Sequence, residues 1–175
     1  NDACVLMATG ASGIHAEPGS HDFDALETAI IEVCRELAQL IVRDGEGATK
    51  FIAIEVVEGR DKEECEAVAY TIAHSPLVKT AFFASDPNWG RILAAIGRAG
   101  LSHLDPHAVT IHLDEVCIVR DGGRATDYKE ARGQAVMDKE EITIRVDLSR
   151  GSAEATVWTC DFSYDYVRIN AEYRT

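Results

Sequence analysis

A carboxylate flanked by two glycines is the first feature of this sequence that could do chemistry. Glu46 lies between Gly45 and Gly47 in the segment Asp44–Lys50. A carboxylate in such a loop could bind a substrate amine or act as a general base. A solvated acidic loop without a function explains the same pattern, because loops are usually polar. The spacing does not fit a phosphate-binding loop of the G-x-x-x-x-G-K-[ST] type.

A second candidate is the turn Asp86–Arg91, which precedes a predicted helix. Free backbone N–H groups at a helix N-terminus can bind an anion such as a carboxylate. A structural role is favoured here, because every helix needs a cap and either Asp86 or Asn88 could supply it. Trp89 would then anchor the helix in the core.

Histidines suggest two further sites, and the sequence disfavours both. His103 and His107, with His112 nearby, have a spacing that could bind a metal, but a proline between the first two makes a regular helix improbable. We therefore predict no metal. His74 beside Ser75 could be a base and a nucleophile, but Ser-Pro is an ordinary helix stop signal and no G-x-S-x-G motif is present.

The first hundred residues predict the α/β class, with helices layered over a mixed sheet. The predicted elements are a strand Cys4–Ala8, a helix from Ser20 to Asp44, a strand Phe51–Val57, a helix from Asp61 to Ser75, a strand Leu77–Phe83 and a helix Trp89–Arg98. For the long helix we expect Asp22 or Asp24 as the N-cap and Gly45 as a left-handed C-cap.

The last third predicts two hairpins, a weak helix and a short C-terminal helix. The hairpins are Val109–Leu113 with Val116–Arg120 and Ile142–Leu148 with Ala153–Cys160, and the helices are Asp127–Val136 and Tyr164–Ala171. A tail with three tyrosines is expected to dock on this chain or on a partner. A soft boundary at 101–107 would separate the α/β layer, residues 1–100, from a hairpin-rich part, residues 101–175.

The composition excludes several classes of function. The chain has 175 residues, a net charge of −13 and a pI near 4.8, which disfavours binding to nucleic acid or to anionic membranes. Five scattered cysteines without a C-x-x-C pair favour a reducing, cytoplasmic compartment. Three of them, Cys34, Cys117 and Cys160, lie in apolar stretches, as small core residues do. We see no apolar run of membrane-span length and no signal peptide.

Four segments together resemble the ornithine acetyltransferase family, the bifunctional glutamate N-acetyltransferases of arginine biosynthesis. They are Asp44–Lys50, Ser75–Ala81, Asp86–Arg91 and Val167–Tyr173. Each segment alone is a weak signal, but together, in this order, they are highly specific. The opening of the chain also resembles this family, so the resemblance covers essentially the whole chain.

The resemblance implies an N-terminal-nucleophile-type acyltransferase whose precursor cleaves itself before a threonine, giving an α chain and a β chain. That threonine, with its own amine as base, would take the acetyl group of N2-acetylornithine and pass it to glutamate in a ping-pong scheme. The α chain would supply the oxyanion hole. The family further implies an α2β2 heterotetramer, no cofactor, and acetyl-CoA as a second donor in some members.

Three family substrate-binding positions match residues of this sequence: Glu46, Asn170 and Thr175. The chain does not begin with threonine, and its start resembles a stretch downstream of the family's cleavage point. The nucleophile is therefore expected upstream, and no residue here is assigned as catalytic. Thr9 lies inside the chain, where its nitrogen is an amide that cannot act as the base. The chain is predicted to be most of a β chain, inert without its upstream β segment and its α chain.

Two other classes of protein remain open at this point. A non-catalytic amino-acid-binding α/β module of the same fold would use Glu46 and the tail without turnover. A structural subunit would retain the matched motifs only as determinants of the fold.

Overall fold

The structure, a computed structural model, describes residues 3–173. The chain divides into two units, one ending at Ala38 and the other beginning at Gln39. The soft boundary predicted at 101–107 lies within the second unit and stays a prediction. No helix of the described residues combines the length and the hydropathy that crossing a membrane requires.

Residues 3–173 form the following elements in chain order. They are α1 (His21–Arg43), β1 (Phe51–Gly59), α2 (Lys62–Ala73), α3 (Pro76–Phe83), α4 (Trp89–Gly97), a 3₁₀ turn (Pro106–Ala108), β2 (Thr110–Leu113), β3 (Val116–Arg120), β4 (Gly123–Arg124), α5 (Glu130–Met137), β5 (Glu141–Asp147), β6 (Ala153–Cys160) and α6 (Tyr164–Glu172).

The strands form one mixed sheet in the order β4-β3-β2-β5-β1-β6. β1 and β5 run parallel, and the other neighbouring pairs are antiparallel. The predicted hairpin of β2 and β3 is confirmed. The second predicted hairpin is wrong, because β1 lies between β5 and β6. The connection after β5 passes over the end of β1, where the N–H groups of Arg150 and Gly151 donate to the carbonyl of Glu58 at 2.7 and 2.9 Å.

One face of the sheet carries the core. The register places Ile54 of β1 beside Ile144 of β5, which in turn pairs with Leu113 of β2, and all three are fully buried. Buried residues of α2, α3, α4 and α5 join these strands in one hydrophobic cluster. This arrangement confirms the predicted fold class, helices layered over a mixed sheet, and the alternation of buried and exposed residues along β5 is typical of a sheet with one covered face.

An ion pair that the sequence did not predict ties this layer together. The Glu64 carboxylate of α2, with its side chain 1% exposed, accepts from Arg150 Nε at 2.5 Å. Arg150 also donates to the main-chain carbonyls of Ser102 and His103 at 3.1 and 2.8 Å. These bonds satisfy a buried charge that would otherwise be costly, and they join three segments of the chain.

Two predicted strands are wrong. Cys4–Ala8 forms no strand: Val5, Leu6 and Met7 are 74–80% exposed, and no described strand pairs with them. Leu77–Phe83 belongs to helix α3, so β1 is followed by three helices. A short apolar run fits a buried strand and a buried helix equally well. The helix is favoured here because Ser75 caps its N-terminus and a proline occupies its first position.

The ends of α1 also differ from the prediction. Ser20 Oγ accepts from Phe23 N at 3.2 Å, so the serine, rather than Asp22 or Asp24, caps this helix. Gly45 does not have a left-handed conformation; the positive φ of this loop, +68°, is at Gly47.

One cysteine occupies surroundings that the apolar pattern did not indicate. Cys34, expected in the core, is exposed, whereas Cys65 is fully buried on the inner face of α2, as the helical spacing predicts. Cys117 and Cys160 are half-buried.

Candidate functional site

The glycine-flanked carboxylate and the C-terminal helix meet in the structure. Asn170 Nδ2 donates to Glu46 Oε2 at 2.6 Å and to the main-chain oxygen of Tyr166 at 2.9 Å. Two of the three predicted substrate-binding residues are therefore in direct contact, although Glu46 follows α1 and Asn170 lies in α6. The third, Thr175, lies outside the described residues.

The loop that carries Glu46 is held at its start by Arg43, at the end of α1. Its guanidinium lies 3.8 Å from the centroid of the Phe51 ring and pairs with Glu141 Oε1 at 2.7 Å. A turn follows, in which Ala48 N donates to Gly45 O at 2.9 Å. This turn places Glu46 at its tip, exposed to solvent.

Gly47 allows this loop to approach the start of α6. A Cβ at this position would lie 2.6 Å from Ser163 Oγ and 2.9 Å from the Cβ of Asp165. Only glycine fits here without displacing its neighbours, and its positive φ is also one that glycine adopts at little cost. The two glycines that flank Glu46 therefore have different roles, because Gly47 needs a positive φ and Gly45 does not.

Asp161 fastens the far end of the loop, and the sequence did not single it out. Its carboxylate is 3% exposed and accepts from Thr49 N, Lys50 N and Thr49 Oγ1 at 2.7, 2.9 and 2.6 Å. The only sequence signal is an aspartate directly after an apolar strand. Because Asp161 lies between β6 and α6, it links the loop of Glu46 to the helix of Asn170.

Helix α6 is attached through its first turn. The buried Ser163 caps it by accepting from Tyr166 N at 3.3 Å. The rings of Phe162 and Tyr166 lie 4.5 Å apart, edge to face, and those of Phe83 and Tyr164 lie 5.4 Å apart. No residue of α6 is buried. The position of Asn170 therefore depends on few contacts in this chain.

A cavity of about 340 Å³ lies between this loop, the start of α3 and the end of β6. Its lining includes Glu46, Lys79, Cys160, Phe162 and Tyr166. Lys79 Nζ donates to Thr159 Oγ1 at 3.0 Å and lies 3.9 Å from Cys160 Sγ. The cavity thus offers a carboxylate and an ammonium group beside aromatic surface, which is the kind of lining that binds small zwitterions.

The other candidates have structural roles. Asn88 Oδ1 accepts from Arg91 N at 3.1 Å and so caps α4, as the structural interpretation predicted, while Asn88 Nδ2 donates to Asp86 Oδ2 at 2.9 Å. Trp89 is half-buried and packs against the core. Ser75 Oγ accepts from Val78 N at 3.4 Å and caps α3.

Of His74, His103, His107 and His112, His74 alone lines this cavity, and it is exposed. His107 Nδ1 lies 3.1 Å from the main-chain oxygen of Asp121. Within residues 3–173, no three His, Cys, Asp or Glu side chains are grouped as metal ligands would be.

Comparison with known proteins gives the family. The ArgJ family model matches residues 1–175. The arginine biosynthesis bifunctional protein ArgJ of Methylococcus capsulatus is 62% identical over 176 residues, and that of Pseudomonas fluorescens is 57% identical over 178 residues. Both alignments cover the whole of this chain but only 43% and 44% of the relatives. The chain thus spans less than half the length of the curated relatives it matches.

A solved structure supports the same assignment. The crystal structure of the arginine biosynthesis bifunctional protein ArgJ from Bacillus halodurans superposes with a TM-score of 0.90 at 36% sequence identity. The match covers 97% of this chain and 79% of that one. The resemblance carried by the four sequence segments is confirmed, and the chain belongs to the ArgJ family.

Proposed function

We propose that this chain is part of the β chain of an acetyltransferase that moves an acetyl group from N2-acetylornithine to glutamate. The products are ornithine and N-acetylglutamate, as arginine biosynthesis requires. Membership of the ArgJ family supports the reaction, as do the names of its relatives, which place them in arginine biosynthesis. The observation that carries the proposal is the contact between Glu46 and Asn170, because it joins two positions expected to bind substrate.

The contact leaves hydrogen-bonding capacity for a substrate. A carboxylate has about four acceptor sites, and Glu46 uses one of them for Asn170. It can therefore accept from a substrate amine, whose positive charge strengthens the bond. Both N–H groups of Asn170 are engaged, by Glu46 and by Tyr166 O, which leaves its amide oxygen as an acceptor.

The acetyl group itself is handled by residues outside this chain in our proposal. A threonine freed by self-cleavage upstream attacks the acetyl carbonyl, its own α-amine takes the proton, and ornithine leaves. Glutamate then attacks the acetyl-threonine ester, and the threonine hydroxyl is restored. Donors from the α chain stabilise each tetrahedral intermediate. Residues of this chain bind and orient the amino acid.

The proposed partners are the α chain of the same precursor and the upstream β segment, assembled as an α2β2 heterotetramer. The reaction needs no cofactor, and acetyl-CoA is a possible second acetyl donor. We place the protein in the cytoplasm, where its five cysteines would remain reduced, in keeping with their free thiols here.

A matched pair of variants tests the role of Glu46. In the complete gene product, Glu46→Ala should lower kcat/KM for acetyl transfer about 10- to 100-fold, the loss expected for one hydrogen bond to a charged group. Glu154→Ala, an exposed glutamate on β6, is the control and should leave transfer unchanged. Undiminished transfer by Glu46→Ala would remove Glu46 from the site.

The alternative is an amino-acid-binding module without turnover. It would bind ornithine or glutamate with wild-type Glu46 and yet release no ornithine from N2-acetylornithine. Assaying binding and ornithine release on the same preparation separates the two functions.

A further inference from the structure

We propose that Lys79 binds the α-carboxylate of the amino-acid substrate, in the cavity that Glu46 also lines. This inference rests on the proposed function, because it takes N2-acetylornithine and glutamate as the substrates. Glu46 alone explains how an amine is held. It does not explain how the site recognises the carboxylate that both substrates have.

Lys79 is the one lysine or arginine among the described residues that line the cavity. It is half-buried in α3, and its ammonium group points to the end of β6. Within the described part of the chain, no carboxylate lies within 4 Å of Lys79 Nζ. Lys79 therefore has no ion-pair partner among these residues, although Glu46 and Asp161 line the same cavity.

The surroundings of Lys79 hold its ammonium group in place and leave it a donor to spare. Thr159 Oγ1 accepts from Lys79 Nζ at 3.0 Å and lies 3.4 Å from the carbonyl oxygen of Ala73, to which its hydroxyl donates. An ammonium group has three N–H donors. One is used by Thr159 and a second faces Cys160 Sγ at 3.9 Å, so one remains for a ligand oxygen.

The charge of this chain favours such a group. The chain carries a net charge of −13, so its general field repels an anionic ligand. A local positive group in a partly dry cavity offsets this repulsion, because charge pairs are screened less there than at the surface. Lys79 supplies that group in a cavity that Glu46 also lines, so one ligand could contact both residues.

The competing role for Lys79 is structural, as a link between α3 and β6 through Thr159. Binding of ornithine and of ornithine α-carboxamide to the complete gene product separates the two roles. Neither ligand carries an acetyl group, so calorimetry measures binding without turnover. Release of ornithine from N2-acetylornithine, assayed on the same preparation, tests the proposed function by itself.

The wild type should bind ornithine about 10- to 100-fold more tightly than the carboxamide, as expected for a hydrogen-bonded charge. Lys79→Met should bring the two affinities together, and Lys79→Arg should restore part of the difference. The control Lys62→Met alters an exposed lysine of α2 and should keep the wild-type ratio.

Two results would overturn the assignment. One is a wild type that binds acid and carboxamide equally. The other is a folded Lys79→Met variant that weakens both ligands by the same factor, which is what a structural role requires. Preferential binding of ornithine that depends on Lys79, without any acetyl transfer, would uphold the inference and contradict the proposed function.

Discussion

Glu46 and Asn170 are 124 positions apart in the chain, and a hydrogen bond of 2.6 Å joins their side chains. Glu46 lies at the tip of a loop and Asn170 in the last turn of a helix that has no buried residue. Because both groups are exposed, this bond contributes little to the stability of the fold. Its place in the molecule points instead to holding the C-terminal helix beside the cavity.

Asn170→Ala should therefore impair acetyl transfer much more than stability. We expect kcat/KM of the complete protein to fall about 10-fold, the equivalent of one hydrogen bond, with a small change in melting temperature. Gln134→Ala is the matched control, because that exposed amide donates to Asp138 Oδ1 at 2.9 Å, in α5. If melting temperature and activity fall together, the bond is a structural one.

Gly47→Ala tests the close approach of the loop to α6. The added Cβ meets Ser163 Oγ and must also adopt a φ of +68°, so the variant carries crowding in addition to backbone strain. Gly100→Ala has a φ of +78° with no atom within 4 Å of the new Cβ, and it measures the strain alone. We expect the strain to cost about 1 kcal/mol of unfolding free energy in both variants.

Only Gly47→Ala should then show a further loss of stability, together with a raised KM, because it displaces α6 from the loop. Equal free energies of unfolding for the two variants, measured by denaturant titration, would mean that α6 moves aside without cost.

Asp161→Asn tests the residue that links the loop to α6. The amide keeps the size of the carboxylate but removes its charge from three hydrogen bonds, two of them from main-chain N–H groups. We expect a loss of about 2 kcal/mol in unfolding free energy, typical of buried bonds to a charged group. Asp147→Asn, which alters a half-buried carboxylate whose bonds to Ser149 are exposed to solvent, should cost much less. A difference within error between the two variants would refute the assigned role.

The pH dependence of stability should report on His112 of β2. Burial lowers the pKa of His112 below its usual value, and the neighbouring Arg120 and Arg145 lower it further. Glu115 and Asp147 act in the opposite direction, with smaller effect. The folded protein therefore binds this proton less readily than the unfolded chain does. Stability falls as the pH drops below about 6.5, the pKa of an unperturbed histidine.

Replacing His112 by asparagine should remove part of this loss, measured as unfolding free energy between neutral and mildly acidic pH. An NMR titration of the wild type supplies the direct check. A His112 midpoint above that of a model peptide would contradict the structure around this ring.

Much of this fold follows from local sequence patterns. The helical spacing in α1 and α2, the apolar run of β1 and the paired segments of β2 and β3 each indicate their element without reference to the rest of the chain. The segment of helix α3 is predicted as a strand because its eight residues are too few for the spacing of apolar residues to distinguish a helix from a strand. The prediction of a hairpin between β5 and β6 is wrong because β1, a strand from much earlier in the chain, lies between them.

The candidate site likewise contains residues that the sequence indicates and residues that it does not. Glu46 is visible in the sequence through its glycines, and its partner Asn170 through the resemblance of the tail to a family. Asp161 is an ordinary polar residue in its own segment. Lys79 lies in Ser75–Ala81, a segment that carries part of the family resemblance without marking the lysine itself. The contacts of both residues form only where β6, α3 and the loop of Glu46 come together, and no local pattern predicts them.

The acetyl-transfer proposal is tested most directly by the intact mass of the complete gene product after incubation with N2-acetylornithine. We predict two chains, with one acetyl group on the chain that begins with threonine and contains the present sequence. This result would establish self-cleavage and the acyl-enzyme together. A single uncleaved chain that gains no acetyl group would contradict the proposal and favour the amino-acid-binding module.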